Sequence, residues 1–264
     1  MDAIRSRRIY DLAEPLSAAT PHSPSHPGVT LALLRRHGDA VREDGGSSAF
    51  EALHMGVHTG THIDALCHGS VEGTMFGNVP ATTTGGVFAT NGIDEVEPFF
   101  CRGVLLDIPW ALGREALDAG HRITKADLEV AAERAGVEVG EGDVVLVRTG
   151  RPLRRFADLD DGAAIEAGVP GVDLSGAKWL AERRVRAAGS DTIAFEWLPA
   201  GRGAANMPVH TLLLCRAGIN IIELLHLEEL SRDGVYQFVF AAAPLKLVGA
   251  TGSPLRPFAV VSAD

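Results

Sequence analysis

Four side chains of the kinds that bind divalent metals lie within eleven positions of this sequence, in the spacing H-x3-H-x-D-x3-H. They are His58, His62, Asp64 and His68. Imidazole nitrogens and carboxylate oxygens are the ligands that suit zinc, manganese and related divalent ions. A lone histidine is more often a surface or capping residue, but four ligand-type residues this close together predict a metal site.

This spacing requires a bend in the backbone. In a straight strand, His58 and His62 would lie roughly 13 Å apart, at about 3.3 Å per residue, too far for both to reach one ion at about 2.0–2.2 Å. A continuous helix would point Asp64 away from His58. Gly60 supplies the bend, because glycine adopts backbone angles that other residues resist. Beyond it, His62 and Asp64 are two residues apart and would share one face of a strand.

His68 lies further along and could face the same cavity without binding the metal. Because imidazole titrates near neutral pH, His68 is a candidate general acid or base. Two neighbours are weaker candidates. His54 has the right parity to join the ligands but precedes the bend. Cys67 could bind a soft metal, although a small buried thiol is the commoner role.

A second signal lies downstream, where Glu223 interrupts an apolar run predicted as a strand. Burying a carboxylate is costly unless it is paired or bound to a cation, whereas on an edge strand it would face solvent. His210 begins the predicted helix before this strand, so a helix-turn-strand hairpin could bring it beside Glu223. Together they could complete the shell of the first metal or bind a second ion. Glu196 is a similar acidic interruption, which could line the pocket or pair with a core arginine.

The composition is that of a globular protein. Of the 264 residues, 46% are hydrophobic and 22% are charged, which supports a sizeable core and argues against disorder. The net charge is -10 and the basic residues are scattered, so nucleic acid is not an expected partner. No apolar stretch has the length of a membrane span or a secretory signal, and the three cysteines do not suggest a disulfide framework. We therefore expect a soluble, cytoplasmic protein.

The pattern of apolar residues predicts many strands and few helices. The β-rich runs are Val29–Leu34, Val87–Thr90, Val104–Asp107, Val144–Thr149, Ile219–Leu225, Tyr236–Ala242 and Phe258–Val261. Three helices are predicted. The first is capped by Thr124, runs to about Arg134 and is ended by Gly136. The second is capped by Ser175 and runs to about Arg184, and the third runs from His210 to Ala217 and is stopped by Gly218. The proline-rich segment Pro21–Pro27 should be extended or turn-like, and the glycine-rich segment Gly249–Ser253 should be a loop. These elements predict an α/β fold in a single domain over residues 1–264.

The segment from His58 to His68 resembles the signature of the metal-dependent cyclase/kynurenine formamidase family, which also contains isatin hydrolase. That signature, H-x-G-T-H-x-D-x-P-x-H, is met at each fixed position except Leu66, where the family has proline. Further blocks resemble the family in the expected order: Tyr10–Leu12, Arg102–Asp107, Asp143–Gly150, Gly189–Asp191, Pro208–His210, Gly218–Glu223 and Ala243–Lys246. The resemblance implies a β-rich domain of the swivelling β/β/α type.

The resemblance also implies roles for individual residues. His58, His62 and Asp64 would bind the first metal. In members that hold two ions, His210 and Glu223 would bind the second, with Asp64 bridging. His68 would be the catalytic acid/base. Members carry one or two ions of zinc or manganese, and both questions stay open for this chain. A homodimer or homotetramer is implied as well.

The reaction that fits these residues is hydrolysis by a metal-activated water. A divalent ion lowers the pKa of bound water towards 7 and polarises a carbonyl, so the substrate would be an amide, lactam or lactone of a small molecule. One alternative keeps the metal but is a cyclase or dehydratase. Another is a non-catalytic protein that binds a metal or a small molecule. Leu66 in place of proline weakens any transfer of the formamidase substrate, so the sequence leaves the substrate open.

Overall fold

The computed structural model describes residues 7–20, 22, 26–150 and 166–262. In chain order, the described strands are β1 (Arg7–Asp11), β2 (Thr30–Arg35), β3 (Phe50–His54), β4 (His62–Asp64), β5 (Thr74–Met75), β6 (Val79–Pro80), β7 (Thr83–Thr84), β8 (Val87–Phe88), β9 (Phe99–Asp107), β10 (Arg122–Ile123), β11 (Val144–Arg148), β12 (Gly171–Val172), β13 (Ala187–Ser190), β14 (Asn220–Glu223), β15 (Gln237–Ala242), β16 (Gly252–Pro254) and β17 (Phe258–Ser262). The described helices are α1 (Ile108–Ala111), α2 (Lys125–Ala135), α3 (Leu174–Glu182), α4 (Pro208–His210), which continues as a π-helix over Thr211–Ala217, and α5 (Glu228–Arg232).

Nine of these strands form one sheet in the order β1-β17-β15-β9-β11-β13-β14-β4-β16. The central strands β9, β11, β13 and β14 are parallel, and the strands on either side are antiparallel. β11 is buried along its whole length, as expected for a parallel strand covered on both faces. Val145 and Val147 pack against the helices, whereas Val144 and Leu146 belong to the core on the opposite face. The sheet therefore separates two layers of core.

The predicted α/β class, with a large sheet and few helices, is confirmed. The helix α2 has the predicted ends: Thr124 and Asp127 form a capping box, and Gly136 terminates the helix with a φ of 65°. The predicted cap of α3 is wrong. Asp173 rather than Ser175 caps this helix, because its carboxylate accepts the backbone N–H groups of Ser175 and Gly176.

The helix predicted to begin at His210 begins two residues earlier, at Pro208. Proline is favoured in the first helical turn, since its missing N–H would have no partner there. Gly218 ends the helical segment with a φ of 68°, as predicted. This helical start faces the sheet near β14, so it positions His210 for the site described below.

The hairpin of β2 and β3 lies outside the main sheet. Within the described residues, these two strands pair only with each other, and every residue in them is exposed. Five large apolar side chains are among them: Leu31, Leu33, Leu34, Phe50 and Leu53. No helix of the described part of the chain is long and apolar enough to cross a membrane.

Candidate metal centre

The candidate site begins where β4 runs antiparallel to β14. In this register His62 lies opposite Glu223, and Asp64 lies opposite Ile221. Because alternate residues of a strand share a face, the side chains of His62, Asp64 and Glu223 project to the same side of the sheet. Ile221 packs into the core on the helical side, so the site lies between the sheet and the start of α4.

Gly60 makes the bend that leads into β4. Its φ of +67° is a conformation that side-chain-bearing residues rarely adopt, and a Cβ atom there would collide with Leu16. The carbonyl oxygen of Gly60 also lies 2.8 Å from Nδ1 of His62. This contact fixes the imidazole ring so that Nε2 faces the site.

Ligand atoms of Asp64, His210 and Glu223 all lie within 4.8 Å of one another there, and His62 lies on the far oxygens of the two carboxylates. Nε2 of His62 lies 3.5 Å from Oδ1 of Asp64 and 3.4 Å from Oε2 of Glu223. Nε2 of His210 lies 3.3 Å from Oε1 of Glu223 and 3.8 Å from Oδ2 of Asp64. Ligands about 2.0–2.2 Å from a tetrahedral ion lie about 3.3–3.6 Å apart. Three of these separations fall in that range, and the 3.8 Å between His210 and Asp64 is slightly longer.

The hydrogen bonding of Glu223 also fits a cation. This carboxylate is buried, and its Oε1 accepts no hydrogen bond from any described residue. Buried polar atoms without partners are rare in native proteins and need an explanation, of which a bound ion is one. Imidazole and carboxylate donors of this kind suit zinc or manganese.

His58 lies beside these four residues and makes two hydrogen bonds of its own. Its Nδ1 is 2.7 Å from Oδ1 of Asp64, and its Nε2 is 2.9 Å from Oγ1 of Thr251. Gly252 packs against the same ring, where a Cβ atom would lie 2.7 Å from Cε1 of His58. The structure therefore brings His58 next to Asp64, and its role as a metal ligand stays a prediction.

His68 lies beside His58, in the short 3₁₀ turn Leu66–His68 that follows β4. The two rings have centroids 4.1 Å apart, and the side chain of His68 is exposed. Ligand atoms of His58, Asp64 and His68 all lie within 4.8 Å of one another. This position allows His68 to act on a substrate or to bind a metal, so its assignment as acid/base stays a prediction.

The charges of the site shift the pKa values of its members. Burial opposes ionisation of Asp64, but hydrogen bonds from His58 and His62 hold its pKa well below the usual range. Burial raises the pKa of Glu223, and the neighbouring Asp64 adds to this effect. Desolvation lowers the pKa of His68 to about 4, helped by the charge of His58. The ring of His68 is therefore neutral at neutral pH.

Glu196 is the partner of His210 rather than of a core arginine. Oε2 of this buried carboxylate lies 2.9 Å from Nδ1 of His210. Burial lowers the pKa of His210, but its hydrogen bond with Glu196 and the charge of Glu223 outweigh that effect and raise the pKa to about 10. Glu196, the acidic residue that interrupts an apolar run, is thus hydrogen-bonded to the candidate metal ligand His210.

Two neighbours of the site carry little signal in the sequence. Thr251 belongs to the glycine-rich segment predicted only as a loop. His26 belongs to the proline-rich segment Pro21–Pro27, of which the structure describes residues 22, 26 and 27. The ring of His26 lies 5.7 Å from that of His58, and its buried Nδ1 has no hydrogen-bond partner among the described residues.

The two weaker candidates lie outside the converging group. His54 is exposed in β3, opposite Thr30. Cys67 is buried, and desolvation raises the pKa of its thiol to about 11. A thiol with so high a pKa does not ionise readily, so Cys67 matches the small buried thiol rather than a metal ligand.

The fold and the site together identify the class of protein. A family model described as "Putative cyclase" matches residues 10–197, and the chain belongs to this cyclase family. A solved structure described as a novel cyclase shares 30% identity and a TM-score of 0.86, over 98% of this chain and 91% of that one. Another, described as a potential metal-dependent hydrolase with cyclase activity, shares 26% identity and a TM-score of 0.61, over 97% and 100% of the two chains.

Curated relatives include two enzymes. The chain is 28% identical to an isatin hydrolase from Roseibium aggregatum, over 83% of this chain and 77% of that protein. It is 26% identical to a kynurenine formamidase from Sphingopyxis alaskensis, over 94% of this chain and 96% of that protein. The predicted resemblance to the cyclase/kynurenine formamidase family is confirmed. The relatives are hydrolases, and at this level of identity they do not assign a substrate.

Proposed function

We propose that this chain is a metal-dependent hydrolase that opens an amide, lactam or lactone of a small molecule. The observation that carries the proposal is the cluster of Asp64, His210 and Glu223, whose ligand atoms all lie within 4.8 Å of one another. His62 adjoins it, with Nε2 3.5 Å from Asp64 and 3.4 Å from Glu223. The names of the relatives support it, since a formamidase cleaves an amide and isatin is a lactam. We propose zinc or manganese as the metal, with one or two ions for each chain.

The proposed ligands are His58, His62, Asp64, His210 and Glu223. When bound, a divalent ion supplies a Lewis acid for the substrate carbonyl and lowers the pKa of water. Asp64 and Glu223 supply negative charge in a buried setting, which favours a cation over a neutral ligand. Thr251 holds His58 through Nε2, so that Nδ1 stays directed at Asp64.

His68 is proposed to move the proton. Its ring is neutral at neutral pH because desolvation lowers its pKa to about 4. A ring nitrogen can therefore take a proton as water attacks the carbonyl, and then pass it to the leaving nitrogen or oxygen. The exposure of His68 at the mouth of the site leaves it accessible to a substrate.

The first test is the metal content of protein purified without chelator or histidine tag, compared with Asp64→Ala. We expect zinc or manganese in stoichiometric amounts in the wild type and its loss in the variant. The loaded enzyme is then assayed on a panel of amides, lactams and lactones, with titration of released acid. Hydrolysis releases a carboxylic acid, whereas cyclisation or dehydration does not. Wild-type protein that binds no metal after reconstitution would contradict the proposal.

We further propose that the protein is a cytoplasmic homodimer or homotetramer. Support comes from the family resemblance and from the apolar side chains that the β2–β3 hairpin exposes. An isolated two-stranded hairpin is marginally stable in water, so a contact between copies would stabilise this one. Sedimentation equilibrium measures the number of chains directly, and a monomer at micromolar concentration would contradict this proposal.

A further inference from the structure

Glu196 is a buried carboxylate that accepts three hydrogen bonds from two consecutive residues. Its Oε1 accepts the backbone N–H of Val209 at 2.8 Å. Its Oε2 accepts the backbone N–H of His210 at 3.1 Å and pairs with Nδ1 of the same residue at 2.9 Å. One side chain therefore holds both the start of α4 and the ring of His210.

The chemistry of this contact decides which ring nitrogen faces the candidate metal centre. Both oxygens of Glu196 accept backbone N–H groups, so the contact is satisfied when Nδ1 of His210 carries the proton and donates it to Oε2. Nε2 is then the nitrogen available to an ion, and it lies 3.3 Å from Oε1 of Glu223 and 3.8 Å from Oδ2 of Asp64. Rotation of the ring would break the contact with Glu196.

The backbone before Glu196 adopts an unusual conformation that aims this side chain. Phe195 is buried and has a φ of +49°, which is uncommon for a residue other than glycine. Its carbonyl oxygen accepts the backbone N–H of Val172 at 3.0 Å, and the N–H of Trp197 donates to the carbonyl oxygen of Val172 at 3.0 Å. The neighbouring chain thus holds the strained turn in place. Strained backbone persists only where the surrounding structure holds it, and it is found most often at functional sites.

We propose that Glu196 is a positioning residue for His210, fixing the protonation of Nδ1 and the orientation of the ring so that Nε2 is directed at the metal. This inference rests on the metal centre of the proposed function. Hydrogen bonds of this kind behind a histidine ligand typically change metal affinity by about 10- to 100-fold. The rival role is purely structural, with Glu196 acting only as the N-terminal cap of α4.

Two variants and one matched control separate these roles. Glu196→Ala removes all three hydrogen bonds. Glu196→Gln keeps an oxygen that can accept from His210 but loses the charge and one acceptor. Asp173→Ala is the control, because Asp173 is a buried carboxylate that caps α3 and contacts none of the candidate ligands among the described residues.

Zinc affinity is measured for each protein by competition with a chromophoric chelator, and stability is measured on the metal-free proteins by urea unfolding. We expect Glu196→Ala to weaken zinc binding by about 10- to 100-fold and Glu196→Gln to weaken it by less. Asp173→Ala should lose stability while its zinc affinity stays close to that of wild type, because it supports no candidate ligand. Unchanged zinc affinity in both Glu196 variants, with a loss of stability like that of the control, would overturn the proposal.

A second measurement keeps this inference separate from the proposed function. In protein labelled with 15N-histidine, the Nδ1 proton of His210 should be protected from exchange with water in the wild type and in Glu196→Gln. It should exchange rapidly in Glu196→Ala. An unprotected proton in the wild type would overturn the role of Glu196 whether or not zinc binds. Failure of the wild type to bind zinc, with this proton protected, would instead contradict the metal centre.

Discussion

The imidazole rings of His58 and His68 lie against each other, with their centroids 4.1 Å apart and their planes tilted by 33°. The same His58 is hydrogen-bonded to Asp64 through its Nδ1. A ligand atom of His68 lies within 4.8 Å of one of the buried Asp64, and the side chain of His68 is exposed. A group that exchanges protons with a substrate needs this combination of proximity and access.

Replacement of this ring tests its assignment. We expect His68→Ala to lower the rate of hydrolysis by about 10²- to 10⁴-fold, the usual contribution of a positioned acid/base. Its metal content should stay equal to that of wild type, as measured by elemental mass spectrometry. A parallel loss of metal would show that His68 is a ligand.

The hydroxyl of Thr251 should matter through His58. In Thr251→Val the ring nitrogen Nε2 loses its hydrogen-bond partner, so the ring can turn away from Asp64. We expect metal affinity to fall by about 10-fold, the lower end of the effect of such supporting contacts. Thr251→Ser keeps the hydroxyl and should bind metal almost as well as wild type. Equal affinities in the valine and serine variants would contradict a supporting role for the hydroxyl.

Metal removal should make stability depend on pH. The carboxylates around His210 raise its pKa to about 10, and the hydrogen bond with Asp64 raises the pKa of His62 despite its burial. A histidine whose pKa is raised by folding stabilises the folded state in full at pH values below its pKa in the unfolded chain, about 6.5. This stability is lost as the pH rises towards 10. The free energy of unfolding of metal-free protein should therefore fall in this window, by up to about 1.4 kcal/mol for each pH unit and proton.

Urea unfolding at about pH 6.5, 8 and 9.5 measures this effect with and without chelator. In the loaded protein the ion replaces these protons, so we expect stability to change less over the same window. The same slope in both forms would contradict the placement of His62 and His210 at the metal.

Gly60 should be intolerant of a side chain. In Gly60→Ala the residue would have to keep a φ of +67° and the new methyl group would collide with Leu16. We expect a loss of about 1–3 kcal/mol of stability, together with weaker metal binding, because the bend positions His62. Gly113→Ala is the matched control, since Gly113 has a φ of +70° but nothing within 4 Å of the added Cβ. Equal metal affinity in both variants would show that the bend is not needed at the site.

Much of this arrangement can be predicted from local sequence. The bend at Gly60 and the shared face of His62 and Asp64 follow from glycine chemistry and strand periodicity. Glu223 is conspicuous because a carboxylate interrupts an apolar strand. In each case the signal lies within a few residues of the group concerned.

Contacts made across the fold have no such signal. Thr251 reaches His58 only because β16 pairs with β4, and the sequence of its glycine-rich segment shows only a loop. His26 lies among prolines. These predict an extended chain, but they do not indicate which residues His26 contacts. Asp173 and Ser175 are only two positions apart, and both are residue types that can cap a helix. The local sequence therefore does not show that Asp173 is the cap of α3.

The pairing of β4 with β14 joins parts of the chain that are far apart in sequence, as the hydrogen bond from Asn220 to the carbonyl oxygen of Asp64 spans 156 residues. An ion shared by His62 and Glu223 would act as a reversible cross-link that closes this long loop, much as a disulfide restricts an unfolded chain. It would also favour the native register, because a shift of one residue would turn His62 to the other face of the sheet. Metal supply would thus influence how readily the chain reaches its fold as well as the hydrolysis proposed for it.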